Sequence, residues 1–115
     1  MNMDAYHSFQ KADSELNAIY KKILRLYKSD TIFIKNLKKS QSIWIQFRDA
    51  EMEMKYPNYG SGYYGSMQPM CYGYYKEELT RQRIKRLMEW LIGIDDKDGC
   101  RGSALSKYAI KHQSK

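Results

Sequence analysis

Leu37, Gln41, Trp44, Arg48 and Met52 follow one another at steps of four, three, four and four, so on a helix they share one face. That face carries an amide, an indole N–H and a guanidinium where a packed helix normally presents only apolar groups. Buried polar groups are costly unless partnered, so the stripe predicts a specific hydrogen-bonded lock rather than a reacting centre. Arg48, and Arg83 further along the chain, each require an acceptor. Asp13, Asn17, Asp49 and loop carbonyls are the candidates. Asp13, Asn17, Gln41, Trp44, Arg48 and Arg83 are therefore assigned to a structural network.

Few other residues are equipped for chemistry. Cys71 has only Lys76 close in sequence to favour a thiolate, and His7 and His112 lie near opposite ends without an acidic or nucleophilic partner. Ser61 and Ser66 sit in GSGYYGS, which lacks both the lysine of a phosphate loop and the strand–turn–helix setting of a nucleophile elbow. Thr80 fits a helix residue making a local bond. A zinc site needs about four ligands at close spacing, and two scattered cysteines and two histidines do not make one. The expectation is a protein that is not an enzyme and uses no metal or cofactor.

The elements that position these residues are helical. Ala5, Phe9, Ala12, Leu16, Ile19, Ile23 and Leu26 recur at steps of three or four, with lysines and arginine in the last turns where cations suit the helix dipole. Ser29 and Asp30 break this helix, and Asp30 caps a second one predicted over residues 31–55, ending before Pro57. So short a connection makes the pair an antiparallel hairpin. A third helix is predicted from Tyr74 or Tyr75 to about Ile94, with Thr80, Ile84, Leu87, Leu91 and Ile94 as its stripe. The fold class is all-α, a three-helix antiparallel bundle over residues 1–95. Residues 96–115 form a polar tail in which Ser103 caps a short helix or the end frays.

Between the second and third helices lies YPNYGSGYYGSMQPMCYGYY, with seven of the eleven tyrosines and both prolines. Glycine and proline argue against helix there, and the ring density argues against a floppy linker. Ordered loops of this length are often functional, and tyrosine, serine and glycine are the residues of recognition surfaces. The two expectations are rings that lid the core and rings that bind a partner.

Charge divides the hairpin. Its turn end carries Lys21, Lys22, Arg25, Lys28, Lys35, Lys38 and Lys39, and its open end Asp4, Asp49, Glu51, Glu53, Glu77 and Glu78 beside the tyrosines. The net charge of +7 keeps an anionic polymer or membrane surface in view as a partner of the basic end. No apolar run is long enough to cross a bilayer, and residues 1–17 lack the apolar core of a secretory signal. The chain is then either cytoplasmic or a mature form whose leader lies outside this sequence.

Taken in order, the motifs resemble the LprI-type lysozyme-inhibitor-like family, small helical domains of bacterial envelope and secreted proteins. Ala12-Asp13, Leu16-Asn17 and Tyr20 match its first helix. Leu37, Gln41, Trp44, Arg48 and Asp49 match its second. Cys71, Leu79-Thr80, Arg83 and Leu87 match its third segment, so the likeness spans about residues 5–91. Family members often carry a cysteine near the start of helix one and another after the Arg-Asp pair. Here Asp4 or Ala5, and Met52, stand in those places. Cys71 is retained without an obvious partner. A Cys71–Cys100 bridge requires the tail to fold back roughly 30 Å along the third helix; free thiols or an intermolecular link are the alternatives.

The resemblance implies a periplasmic or secreted, non-enzymatic binding protein whose partner is lysozyme or another envelope-acting protein. Tyr59, Tyr63 and Tyr64, with Glu51 and Glu53, form the candidate contact surface. Lysozymes of the animal type are basic, so the net charge opposes such an encounter except at the acidic end. The alternatives are a module that holds an anionic polymer or membrane surface through the seven cations of the turn end, and a helical scaffold with another partner.

Overall fold

A computed structural model describes residues 3–60 and 62–113. Ser61 lies outside the described residues. Three long helices, α1 (Met3–Leu26), α2 (Thr31–Lys55) and α3 (Gln68–Ile92), form a rod of 54 × 23 × 23 Å, and a one-turn helix α4 (Lys107–Lys111) closes one end. The all-α, three-helix class expected from periodicity is what the chain adopts. Asp30 caps α2 through its side chain, accepting from the Phe33 N–H at 3.0 Å. This satisfies a donor that the first turn otherwise leaves unpaired.

α1 and α3 run parallel and pack most closely of any two helices. The cause is small residues at seven-residue spacing: Ala5 and Ala12 on one helix, Gly73 and Thr80 on the other, all buried. α2 leans on this pair through larger groups, Phe33, Leu37, Gln41, Arg48 and Met52. Towards the hairpin turn the core widens into Leu16, Ile23, Tyr27, Phe33, Leu37 and Leu87. The Phe33 ring sits 4.7 Å from Tyr27 and 6.1 Å from Trp90.

The third helix begins at Gln68, not at Tyr74 or Tyr75. Pro69 sits in its first turn, where a missing N–H costs nothing, and so starts the helix instead of breaking it. Gly73 continues it because α1 approaches there: a Cβ at this position would stand 2.8 Å from the Ala5 Cβ. The tyrosine loop is therefore confined to residues 56–67, and Tyr72, Tyr74 and Tyr75 are helical.

The tail beyond α3 is built onto the bundle. Gly93 ends the helix, Ile94 and Ser106 form a lone parallel bridge, and Ala104 is buried. The Tyr27 hydroxyl donates to the Trp90 carbonyl at 2.8 Å and accepts from the Leu105 N–H at 2.9 Å. The short helix is capped by Ser106 rather than Ser103, which instead accepts from the Trp90 indole at 3.2 Å. Cys71 and Cys100 are both free thiols, which corrects the bridge weighed above. Residues 71–92 of α3 separate them by about 32 Å. The tail docks on Tyr27 and Trp90 instead of returning along that helix.

Candidate functional site

The loop at the open end of the bundle is anchored on both sides by helix. Tyr56 closes α2, its N–H bonding the Met52 carbonyl at 2.8 Å, and Pro57 then turns the chain away. Gly62 and Gly65 take φ values of 79° and 81°, which side chains rarely adopt, and successive turns bond Tyr63 to Gly60 and Gly65 to Gly62. These tight turns gather the rings. Tyr63 lies 4.7 Å from Tyr59 and 4.9 Å from Tyr64, and Tyr64 reaches Tyr56 at 5.9 Å. Tyr56 also touches Tyr72 and Tyr75 on α3, at 5.9 and 6.2 Å.

The result is two tiers of rings. Tyr56 and Tyr75 are half-buried and brace the loop against the bundle, with the Lys55 ammonium 4.8 Å from the Tyr75 ring. Tyr59 and Tyr63 are 64% and 68% exposed and point their contact area outward. A cleft of about 540 Å³ opens among them, lined by Tyr56, Tyr59, Tyr63, Tyr64, Tyr72 and the intervening backbone. Desolvation raises the Tyr56 and Tyr64 phenols above their ordinary value, with Cys71 and Tyr75 adding to it at Tyr56 and the neighbouring phenols at Tyr64. Such a surface offers flat apolar area with hydrogen-bonding tips.

Glu51 and Glu53 sit on the last turns of α2 but do not line the cleft. The end is also less acidic than the sequence implies. Glu77 is paired with Arg81 at 2.8 Å, and the same guanidinium reaches Glu15 at 3.3 Å. Lys76, lying 4.5 Å from the Phe9 ring, has its pKa lowered by desolvation and by Arg48 nearby, against the pull of Asp49 and Asp13.

Arg48 and Arg83 occupy the middle of the rod. Arg48 donates to Asp13 at 3.5 Å and to the Thr80 hydroxyl at 3.4 Å, and its guanidinium lies 5.1 Å from the Trp44 ring and 5.5 Å from Phe9. Thr80 in turn donates to the Lys76 carbonyl at 2.8 Å. Arg83 donates to Gln41 at 2.9 Å and to Ser40 at 3.1 Å, with Trp44 at 5.8 Å. Asn17 stands apart: it is exposed, and among the described residues it shares no hydrogen bond with this network. Thr80 and Phe9 are members the stripe on α2 did not reveal, because they lie on the other two helices.

At the turn end, Lys21, Lys22 and Arg25 line a shallow depression with Asn17, and Lys22, Arg25 and Lys28 line a second. Lys35, Lys38 and Lys39 are exposed on α2 and enter neither. The seven cations thus form two groups, one on the end of α1 and the turn after it, the other on α2. Among the described residues, no cluster of His, Cys, Asp and Glu is arranged to hold a metal ion, and no helix is long and apolar enough to cross a membrane.

The sequence model of a family described as Lysozyme inhibitor LprI matches residues 1–87. A curated but uncharacterized protein of Rhizobium meliloti (strain 1021) is 31% identical over 106 residues, covering 77% of this chain and 72% of the relative. No solved structure matches.

Proposed function

The chain belongs to the lysozyme inhibitor LprI family, and on that premise we propose that it is a non-enzymatic binding protein of the bacterial envelope or exterior that engages a lysozyme-like partner through its tyrosine cleft. The observation that carries this reading is the pairing of exposed Tyr59 and Tyr63 with a braced inner tier, Tyr56 and Tyr75. Rings already held in place lose little freedom on binding, so their contact area is available for affinity. Glu51 and Glu53 stand at the border of the contact, where they add steering toward a basic partner rather than a central anchor.

The test is inhibition of a lysozyme by the purified chain, compared with Tyr59→Ala, Tyr63→Ala and Tyr64→Ala combined. Loss of inhibition in a variant that melts like the parent supports the cleft as the contact. Undiminished inhibition removes it from consideration. A second reading rests on Lys21, Lys22, Arg25 and Lys28, which crowd two adjoining depressions without an acid between them. Retention on heparin that falls steeply with salt and is lost when these four are neutralised would favour an anionic polymer instead.

A further inference from the structure

Ile43, Phe47, Ala50 and Met54 follow at steps of four, three and four on α2, and Ile32 falls on the same line. The line runs about a third of a turn away from the face that packs on α1 and α3. Its members are open to solvent: Ile32 75% exposed, Ile43 53%, Phe47 52% and Met54 69%. Between Ile32 and Ile43 the line carries Asn36 and Lys39, so its unbroken apolar part runs roughly 17 Å from Ile43 to Met54, and that part is short of a partner.

The charges beside the line identify that partner. Lys35, Lys39 and Glu53 share one border, with lysines toward the start of α2 and the glutamate toward its end. Another helix laid antiparallel about a two-fold and carrying the same border sets each lysine half against a glutamate half; a parallel two-fold sets this border against the opposite one, where Ser40 offers the lysines no acid and Glu51 offers Glu53 no cation. A basic protein is repelled by the lysine half, and a polyanion by the glutamate half. Self-complementarity under a two-fold rotation is what an isologous dimer requires, and residue 46, midway between Lys39 and Glu53, is the neighbour of Phe47. We propose that two copies of this chain pair through α2, antiparallel, about a two-fold axis close to Phe47. The tyrosine clefts then lie at opposite ends of the pair, each free for a partner.

Sedimentation velocity of the full chain over the micromolar to near-millimolar range tests this. The expected result is a monomer–dimer equilibrium that Phe47→Glu shifts at least about tenfold toward monomer, with helical circular dichroism unchanged. Lys39→Glu weakens the dimer, and Lys39→Glu combined with Glu53→Lys restores it, because the pairing is re-formed with its signs exchanged. A chain that stays monomeric throughout overturns the proposal, as does a dimer indifferent to Phe47→Glu. A double charge variant no tighter than Lys39→Glu overturns the antiparallel arrangement. None of these readouts depends on whether lysozyme is inhibited.

Discussion

Gly73 and Ala5 bring α1 and α3 into backbone contact: a Cβ built on Gly73 would meet the Ala5 Cβ at 2.8 Å and its carbonyl carbon and oxygen at 3.1 Å. Nothing flexible lies in the way, so the helices themselves have to separate to admit even a methyl group. Gly73→Ala is expected to destabilise the bundle by about 1–3 kcal/mol, although alanine is the better helix former by about 1 kcal/mol. Urea unfolding measures it, and Gly99→Ala, where nothing lies within 4 Å, serves as the neutral comparison.

Arg48 is buried yet thinly bonded. Its contacts to Asp13 and Thr80 are long, and its Nε, without a hydrogen-bond partner among the described residues, faces the Asp49 carboxylate at 3.7 Å. Truncation to alanine leaves a hole beside Trp44 and Phe9 and is expected to cost about 3 kcal/mol. Arg48→Met fills that space without a charge to desolvate, so it is expected to lose far less than the alanine variant. Equal losses in the two thermal melts would show that the charge, not the volume, is what the site requires.

Tyr27 ties the tail to the bundle through one donated and one accepted hydrogen bond. Tyr27→Phe is expected to cost about 1–3 kcal/mol and to loosen residues around Leu105, seen as faster amide exchange there. Burial raises the phenol above its ordinary value of 10.0, against the opposing Leu105 N–H bond and Arg101. A raised folded-state pKa contributes stability that is full below about 10 and is lost as pH climbs through the folded value. The parent's melting temperature should therefore fall more steeply than that of Tyr27→Phe above pH 10.0.

The outer tyrosines should be dispensable for folding. Tyr59→Ala and Tyr63→Ala remove rings that are mostly in solvent, and each is expected to change stability by less than about 0.5 kcal/mol. Tyr56→Ala removes a half-buried ring shared by Tyr64, Tyr72 and Tyr75 and should cost about 2 kcal/mol. Parallel denaturant titrations separate the two tiers.

Thiol titration of the unfolded, unreduced protein should return both cysteines, Cys71 and Cys100, and reductant should leave the melting temperature unchanged. A value near zero thiols would mean that the tail adopts another path.

The sequence by itself determined the first two helices, the body of the third, the Ser29–Asp30 turn and the polar stripe on α2. These are local patterns, since a period near 3.6 and a capping aspartate act within a few residues. It also carried the family resemblance, because Trp44, Arg48 and Arg83 are rare occupants of a packed face. Only the tertiary structure decided what sits against what. Gly73 reads as a breaker until Ala5 comes within 2.8 Å of where its side chain would be. Asn17 has the spacing of a core partner and faces solvent, while Thr80 and Phe9 arrive from other helices to take up Arg48. The polar tail is anchored by a hydroxyl 78 residues away in sequence. Which tyrosines brace and which are offered depends on where the ends of α2 and α3 leave room. The positive-φ turns at Gly62 and Gly65 then fold the loop's rings into that room, and which room it is depends on contacts made far along the chain.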